Sequence, residues 1–99
     1  MTEKISLQVN GNDIVLDHFV LAFIEHTVIG MIGSLKDTGP VSTLALSIDG
    51  GKVKIVLNGK AVKTNEFSSK IIKSTVFGMV SPLKGVVGTV NNLKIDIAR

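Results

Sequence analysis

Ile5, Leu7 and Val9 alternate with Lys4, Ser6 and Gln8, a period of two that predicts a strand with one buried face. Asn10-Gly11 follows, a tight hairpin dipeptide because both residues tolerate positive φ. A short return strand is expected over Asp13 to Leu16. Asp17 then stands where a helix N-cap belongs, its carboxylate able to accept a first-turn N–H. A first helix is predicted from His18 to Leu35, with Phe19, Phe23, Thr27, Gly30, Met31 and Leu35 spaced as one stripe. Val20, Leu21, Ile24, Val28, Ile29 and Ile32 widen its apolar surface well beyond that stripe. Lys36-Asp37-Thr38-Gly39-Pro40 is a turn cluster that ends the helix. Leu44, Leu46 and Ile48 alternate as a further half-buried strand, and Asp49-Gly50-Gly51 is a hairpin turn.

From there the pattern runs again. Val53, Ile55 and Leu57 stand where Ile5, Leu7 and Val9 stood, Asn58-Gly59 matches Asn10-Gly11, Asn65 replaces Asp17 as the cap and Phe67 replaces Phe19. Thr27-Val28-Ile29-Gly30-Met31 and Thr75-Val76-Phe77-Gly78-Met79 share Thr, Val, Gly and Met in one order, 48 positions apart. After Lys84 the offset grows by one, so Val41 matches Val90, Leu44 matches Leu93 and Ile48 matches Ile97. Pro82 removes a backbone donor and disfavours helix at Ser81, so the second helix is expected to stop or kink about one turn early.

Each unit reads strand, short strand, helix, strand. The expected fold class is α+β: a two-layer sandwich with two helices on one face of a largely antiparallel sheet, built from two tandem repeats with pseudo-twofold symmetry. Residues 1–99 are read as one domain, with repeats over about residues 4–48 and 52–97. Ferredoxin-like and saddle-like strand orders both fit this pattern.

Composition narrows the chemistry. The chain has no cysteine, which excludes a disulfide framework, thiolate metal ligation and cysteine catalysis, and fits a reducing cytoplasm. Trp and Tyr are absent, so a base-stacking surface is poorly supplied. The start of the chain shows no basic region followed by an apolar run, so no signal peptide is expected. Phe19 to Leu35 is apolar but shorter than the ~20 residues of a span, with Glu25 and His26 near its middle. Its match, Phe67 to Leu83, carries Ser68, Ser69, Lys70 and Lys73, so no membrane association is expected.

No nucleophile elbow, Walker loop or dinucleotide fingerprint occurs. His18 and His26 lie eight apart without a carboxylate spaced to complete a metal site. Asp49-Gly50-Gly51-Lys52 leads into a strand, whereas a phosphate cradle needs a following helix. We therefore expect no catalytic, cofactor or metal residue, and a non-enzymatic protein-interaction or assembly module. Three groups carry the reading. Gly30 and Gly78, on one helix face, are read as the point where the helices cross closely. Val20, Leu21 and Ala22 are apolar where the second helix has Ser68, Ser69 and Lys70, so Val20, Leu21 and the nearby Ile24 are read as an interface for a homodimer or a partner protein. Residues 1–48 carry net charge −3 and residues 49–99 carry +6. Lys52, Lys54 and Lys94 in that basic half support an alternative, nucleic-acid binding on the open face of the sheet. A solvated lysine face without Arg or aromatics is the preferred account of them.

The string from Asn58-Gly59 through Phe67, with Thr75-Val76-Phe77-Gly78-Met79-Val80 and Leu83-Lys84-Gly85-Val86, resembles a C-terminal segment of some molybdopterin-guanine dinucleotide biosynthesis proteins of the B type. The same segment is found in small uncharacterised archaeal and bacterial proteins. Asn10 to Lys36 matches it more loosely. Those enzymes carry a P-loop nucleotide domain that this chain lacks. The resemblance implies an accessory or assembly role beside molybdenum-cofactor nucleotide biosynthesis, with no catalytic residue to carry over.

Overall fold

A computed structural model describes residues 4–35, 40–86 and 88–99. The elements run β1 (Lys4–Val9), β2 (Asn12–Asp13), α1 (His18–Leu35), β3 (Thr43–Asp49), β4 (Lys52–Leu57), β5 (Lys60–Val62), α2 (Glu66–Val80) and β6 (Asn92–Ala98). Among the described residues the fold is α+β, with two helices and one six-stranded antiparallel sheet in the order β2-β1-β6-β3-β4-β5. The turn expected at Lys36–Gly39 lies outside the described residues. The return strand after Gly11 is shorter than expected, two residues. The chain then leaves the ladder through one further bond, from Ile14 N–H to the Leu7 carbonyl at 2.9 Å.

Alternation along each strand gives the sheet its two faces. Leu7, Ile95, Leu46, Ile55 and Val62 form one row across five strands. Val9, Leu93, Ile48 and Val53 flank it on one side, and Ile5, Ile97, Leu44 and Leu57 on the other. These side chains, together with residues of the two helices, make the core. At ~1.5–3 kcal/mol for each fully buried aliphatic side chain, this layer dominates the favourable side of folding.

Two asparagines tie the sheet's turns to distant strands. Asn10 and Asn58 adopt φ of 51° and 50°, with Gly11 and Gly59 following at 82° and 83°. The Asn58 side-chain oxygen accepts the N–H groups of Ser42 (2.7 Å) and Thr43 (3.0 Å), while its Nδ2 donates to the Pro40 carbonyl (3.1 Å). Asn10 does the same at the entry to β6. Its oxygen accepts from Asn91 (2.8 Å) and Asn92 (3.1 Å), and its Nδ2 donates to the Thr89 carbonyl (2.9 Å). Each turn thus fixes where a strand from the other half of the chain begins.

The helices start alike. Asp17 accepts the Val20 N–H at 2.8 Å, and Asn65 accepts the Ser68 N–H at 2.7 Å. The helix α2 ends at Val80, ahead of Pro82, which cannot supply the next donor. The expected phase of α1 is corrected. Ile24, Val28 and Ile32 of α1 are buried, with Val20 packed beside them, and Ile72, Val76 and Val80 are buried in α2. These are steps of four. Phe19, Phe23 and Gly30, assigned to the inward stripe from their spacing, lie on the outside. The close crossing at Gly30 and Gly78 is also corrected: a Cβ on either glycine would meet open space, so neither admits the other helix.

Candidate functional site

The cap residue fixes where each helix starts, and the row it buries decides what is left outside. Two residues after Asp17 and Asn65 come Phe19 and Phe67, and a turn later Phe23 and Ile71. Phe19 is 74% exposed, Phe23 49%, Phe67 70% and Ile71 45%. Phe19 and Phe23 stack on each other with ring centroids 6.1 Å apart and planes at 14°. On α2, Phe67 and Ile71 line a groove of about 240 Å³ against Met31 and Ser34 of α1. The end of α1 therefore lies beside the start of α2, and the helices run antiparallel. Gly30 and Gly78 lie exposed on the same layer, with nothing above them.

The charge on this layer is sparse. No Lys, Arg, Asp or Glu on α1 is exposed, because its single carboxylate, Glu25, is turned inward. Glu25 accepts a hydrogen bond from Nε of Arg99 at 3.0 Å, with side-chain exposures of 5% and 35% for the two partners. Arg99 is held in turn by its own N–H, which donates to the Ser42 carbonyl at 2.9 Å. His26, exposed on the next position, brings Nε2 to 4.0 Å from the other Glu25 oxygen. The helix α2 carries Glu66 and Lys70 outward, and Lys73 sits with Nζ 5.7 Å from the centre of the Phe77 ring.

The interface expected from Val20, Leu21 and Ile24 is corrected in part. Ile24 is fully buried in the core and cannot be an exposed contact; Val20 is half-buried against the same core. Leu21 is half-buried and borders a depression of about 700 Å³ with Ile5, Leu44 and Ile97. Their apolar character serves the sheet side of α1, while Phe19 and Phe23 supply the outward surface. The usable signal was the recurrence of large apolar residues two and six positions after each cap.

Lys52, Lys54 and Lys94 do share the open face of the sheet. Lys94 and Lys54 stand in one row on either side of Ser47. Acids are interleaved with them. Asp49 lies directly across from Lys52, and Asp96 approaches Lys94 at 3.9 Å. The floor of that face is small, with Ser6, Ala45 and Ala98 along the large depression. Among the described residues no three His, Asp or Glu side chains come together as a metal-binding group. No helix among them is long and apolar enough to cross a membrane.

No family model, curated protein or solved structure matches this chain.

Proposed function

We propose that the chain is a non-enzymatic protein-interaction or assembly module, working in the cytoplasm, whose contact surface is the outer face of the helix layer. One observation carries this reading: four large apolar side chains stand outward on two helices, on a layer whose first helix exposes no Lys, Arg, Asp or Glu. Interface centres are depleted of charge and enriched in aromatics, and large exposed apolar patches mark sites of association. We further propose that the module is an internal duplication over about residues 4–48 and 52–97 with a pseudo-twofold axis. The strand order supports this, since exchanging β1, β2 and β3 for β4, β5 and β6 reverses the order into itself. The matched bonds of Asn10 and Asn58 support it too. The family resemblance supports an accessory role in molybdenum-cofactor nucleotide biosynthesis.

A photo-crosslinking residue at Phe19 or Phe67, introduced in cells, tests the reading. The expected result is an adduct with one defined protein, self or other, and none from position Gln8. Adducts formed only from Gln8 would move the working surface to the sheet. The nucleic-acid reading is favoured by the common face of Lys52, Lys54 and Lys94, and opposed by Asp49 and Asp96 among them. Submicromolar binding that falls steeply with salt would establish it.

A further inference from the structure

We infer that the outer edge of β4 at Lys52–Lys54 takes an extended acidic segment of a partner protein as an added strand. This site lies apart from the helix face and rests on different observations. The strand β5 covers only half of β4, pairing Lys60, Ala61 and Val62 with Leu57, Val56 and Ile55, whereas β4 begins at Lys52. Residues that flank a two-residue hairpin turn exchange both main-chain bonds, so Leu57 aims its N–H and C=O at β5. The period of two gives Ile55 and Val53 the same direction. Ile55 meets Val62, but no described strand lies opposite Val53. The chain has left the sheet there, through Lys63 and Thr64, to reach the Asn65 cap of α2. An open depression of about 680 Å³ occupies the gap. Unpaired main-chain groups at a sheet edge are a template for a further strand.

Ser47, Lys52 and Lys54 border the depression from the open face of the sheet, and Thr64 and Ser69 border it from the helix side. A compact anion reaches one of these groups; the side chains of an added strand alternate and reach both. Lys52 and Lys54 are two residues apart, ~7 Å along the strand, which is the spacing of alternate residues in a partner strand. Acids at those two positions meet one ammonium each. The residue between them faces the Thr64 and Ser69 hydroxyls, which bond each other at 2.6 Å. Lys73 adds a third cation at the rim, half-buried, with Nζ 3.5 Å from where a Cβ on Gly51 would stand. No carboxylate among the described residues comes within 4.0 Å of Lys52, Lys54 or Lys73. Residues 49–73 hold Lys52, Lys54, Lys60, Lys63, Lys70 and Lys73 against Asp49 and Glu66, net +4. That count includes Asp49, which lies across from Lys52, and Glu66 in the first turn of α2. The matching edge of β1 differs in charge and lining. At the places of Thr64, Ser69, Lys54 and Lys73, 48 positions earlier, stand Leu16, Leu21, Ser6 and Glu25, and residues 1–25 carry net −3. An acidic strand is therefore directed to β4 and not to β1.

The probe is an acetylated, amidated peptide of alternating Glu and Thr, with alternating Lys and Thr as its charge reverse. In fluorescence titrations the acidic peptide should bind at least about tenfold more tightly than its reverse. Lys52→Glu with Lys54→Glu should weaken binding by about tenfold or more, and Lys4→Glu at the β1 edge by less than about twofold. Main-chain pairing has its own readouts. Saturation with the acidic peptide should slow hydrogen exchange at the Val53 N–H more than about tenfold and leave the Ile5 N–H unchanged. With Thr opposite Val53, the Thr N–H groups face the edge, so N-methylating them should abolish binding while keeping every charge of the peptide. Phe19→Glu should bind the acidic peptide as the parent does, which separates this site from the helix face. Equal binding of the N-methylated peptide, or no protection at Val53, overturns the inference and leaves a bare cationic surface. So does a failure of the acidic peptide to bind. Displacement of the peptide by a lower concentration of an equally charged single-stranded oligonucleotide also overturns it and gives this edge to nucleic acid.

Discussion

Replacing Asn58 separates what its side chain does from what its backbone does. Three hydrogen bonds leave that side chain, to Ser42, Thr43 and Pro40, at 2.7, 3.0 and 3.1 Å. The residue is exposed, so each bond competes with water and contributes about 0.5–1 kcal/mol. Asn58→Gly keeps the positive φ of 50° accessible and loses only the bonds, an expected cost of about 2 kcal/mol. Asn58→Ala loses the same bonds and adds the left-handed penalty of a Cβ residue, ~1 kcal/mol more. Asn58→Asp keeps the acceptor for Ser42 and Thr43 but sets an anionic oxygen against the Pro40 carbonyl, so it should fall between the parent and Gly. Urea unfolding gives the order parent, Asp, Gly, Ala, with the slope unchanged and a midpoint shift of about 2 M for Ala at a slope near ~1.5 kcal/mol/M. Asn10, which makes the corresponding set of bonds, should give the same order. Asn58→Gly within 0.5 kcal/mol of the parent would show that these bonds exchange for water without loss and that the turn does not hold the start of β3.

The Glu25–Arg99 pair gives a second expectation. Arg99→Ala leaves a carboxylate unpaired at 5% exposure. Removing one partner of a buried pair costs about 3–5 kcal/mol, and the 35% exposure of Arg99 lowers this to about 2–3. Glu25→Gln in the Arg99→Ala background should recover part of the loss in thermal unfolding, and no recovery would mean that the loss does not come from the unpaired carboxylate. For the glycines, Gly30→Ala and Gly78→Ala should each stabilise the protein by about 0.5–1 kcal/mol, because a Cβ meets open space at both. Urea unfolding checks this, and a loss of stability would return these glycines to a packing role inside the fold.

The strands, the hairpins and the helix starts are legible because each is set by nearby residues. Ile5, Leu7 and Val9 point inward by alternation alone, and Asn-Gly at 10–11 and 58–59 takes positive φ whatever lies across the sheet. Asp17 and Asn65 cap because their side chains reach N–H groups three residues on. The order of strands is different in kind. The sheet places β6 between β1 and β3, a pairing that alternation in each strand permits without specifying. Glu25 belongs to the same class. In sequence it is an acid in an apolar helix beside His26, and its partner is 74 positions away. Burial of that carboxylate follows only once the end of β6 is known to pass α1.

Helix phase is the case where sequence and structure part, and the proposed contact surface depends on it. The helix α1 is apolar almost all round, so spacing at three and four residues fits more than one stripe. Taking the largest side chains as the inward ones selects Phe19 and Phe23. The match between the two halves selects otherwise. At 24 and 72, 28 and 76, and 32 and 80, both copies have β-branched aliphatics, and these pairs are the buried ones. Such side chains are stiff and compact enough to seat on a flat layer of Leu, Ile and Val. With that row assigned to the sheet, Phe19 and Phe67 lie one residue earlier, turned by about 100°, and cannot reach the core. The part of their apolar area left exposed stabilises nothing within the fold. The exposed part of an outward aromatic pair on α1 and its counterpart on α2 lowers the free energy only when something covers it, which is why the corrected helix phase underlies the proposed interaction surface.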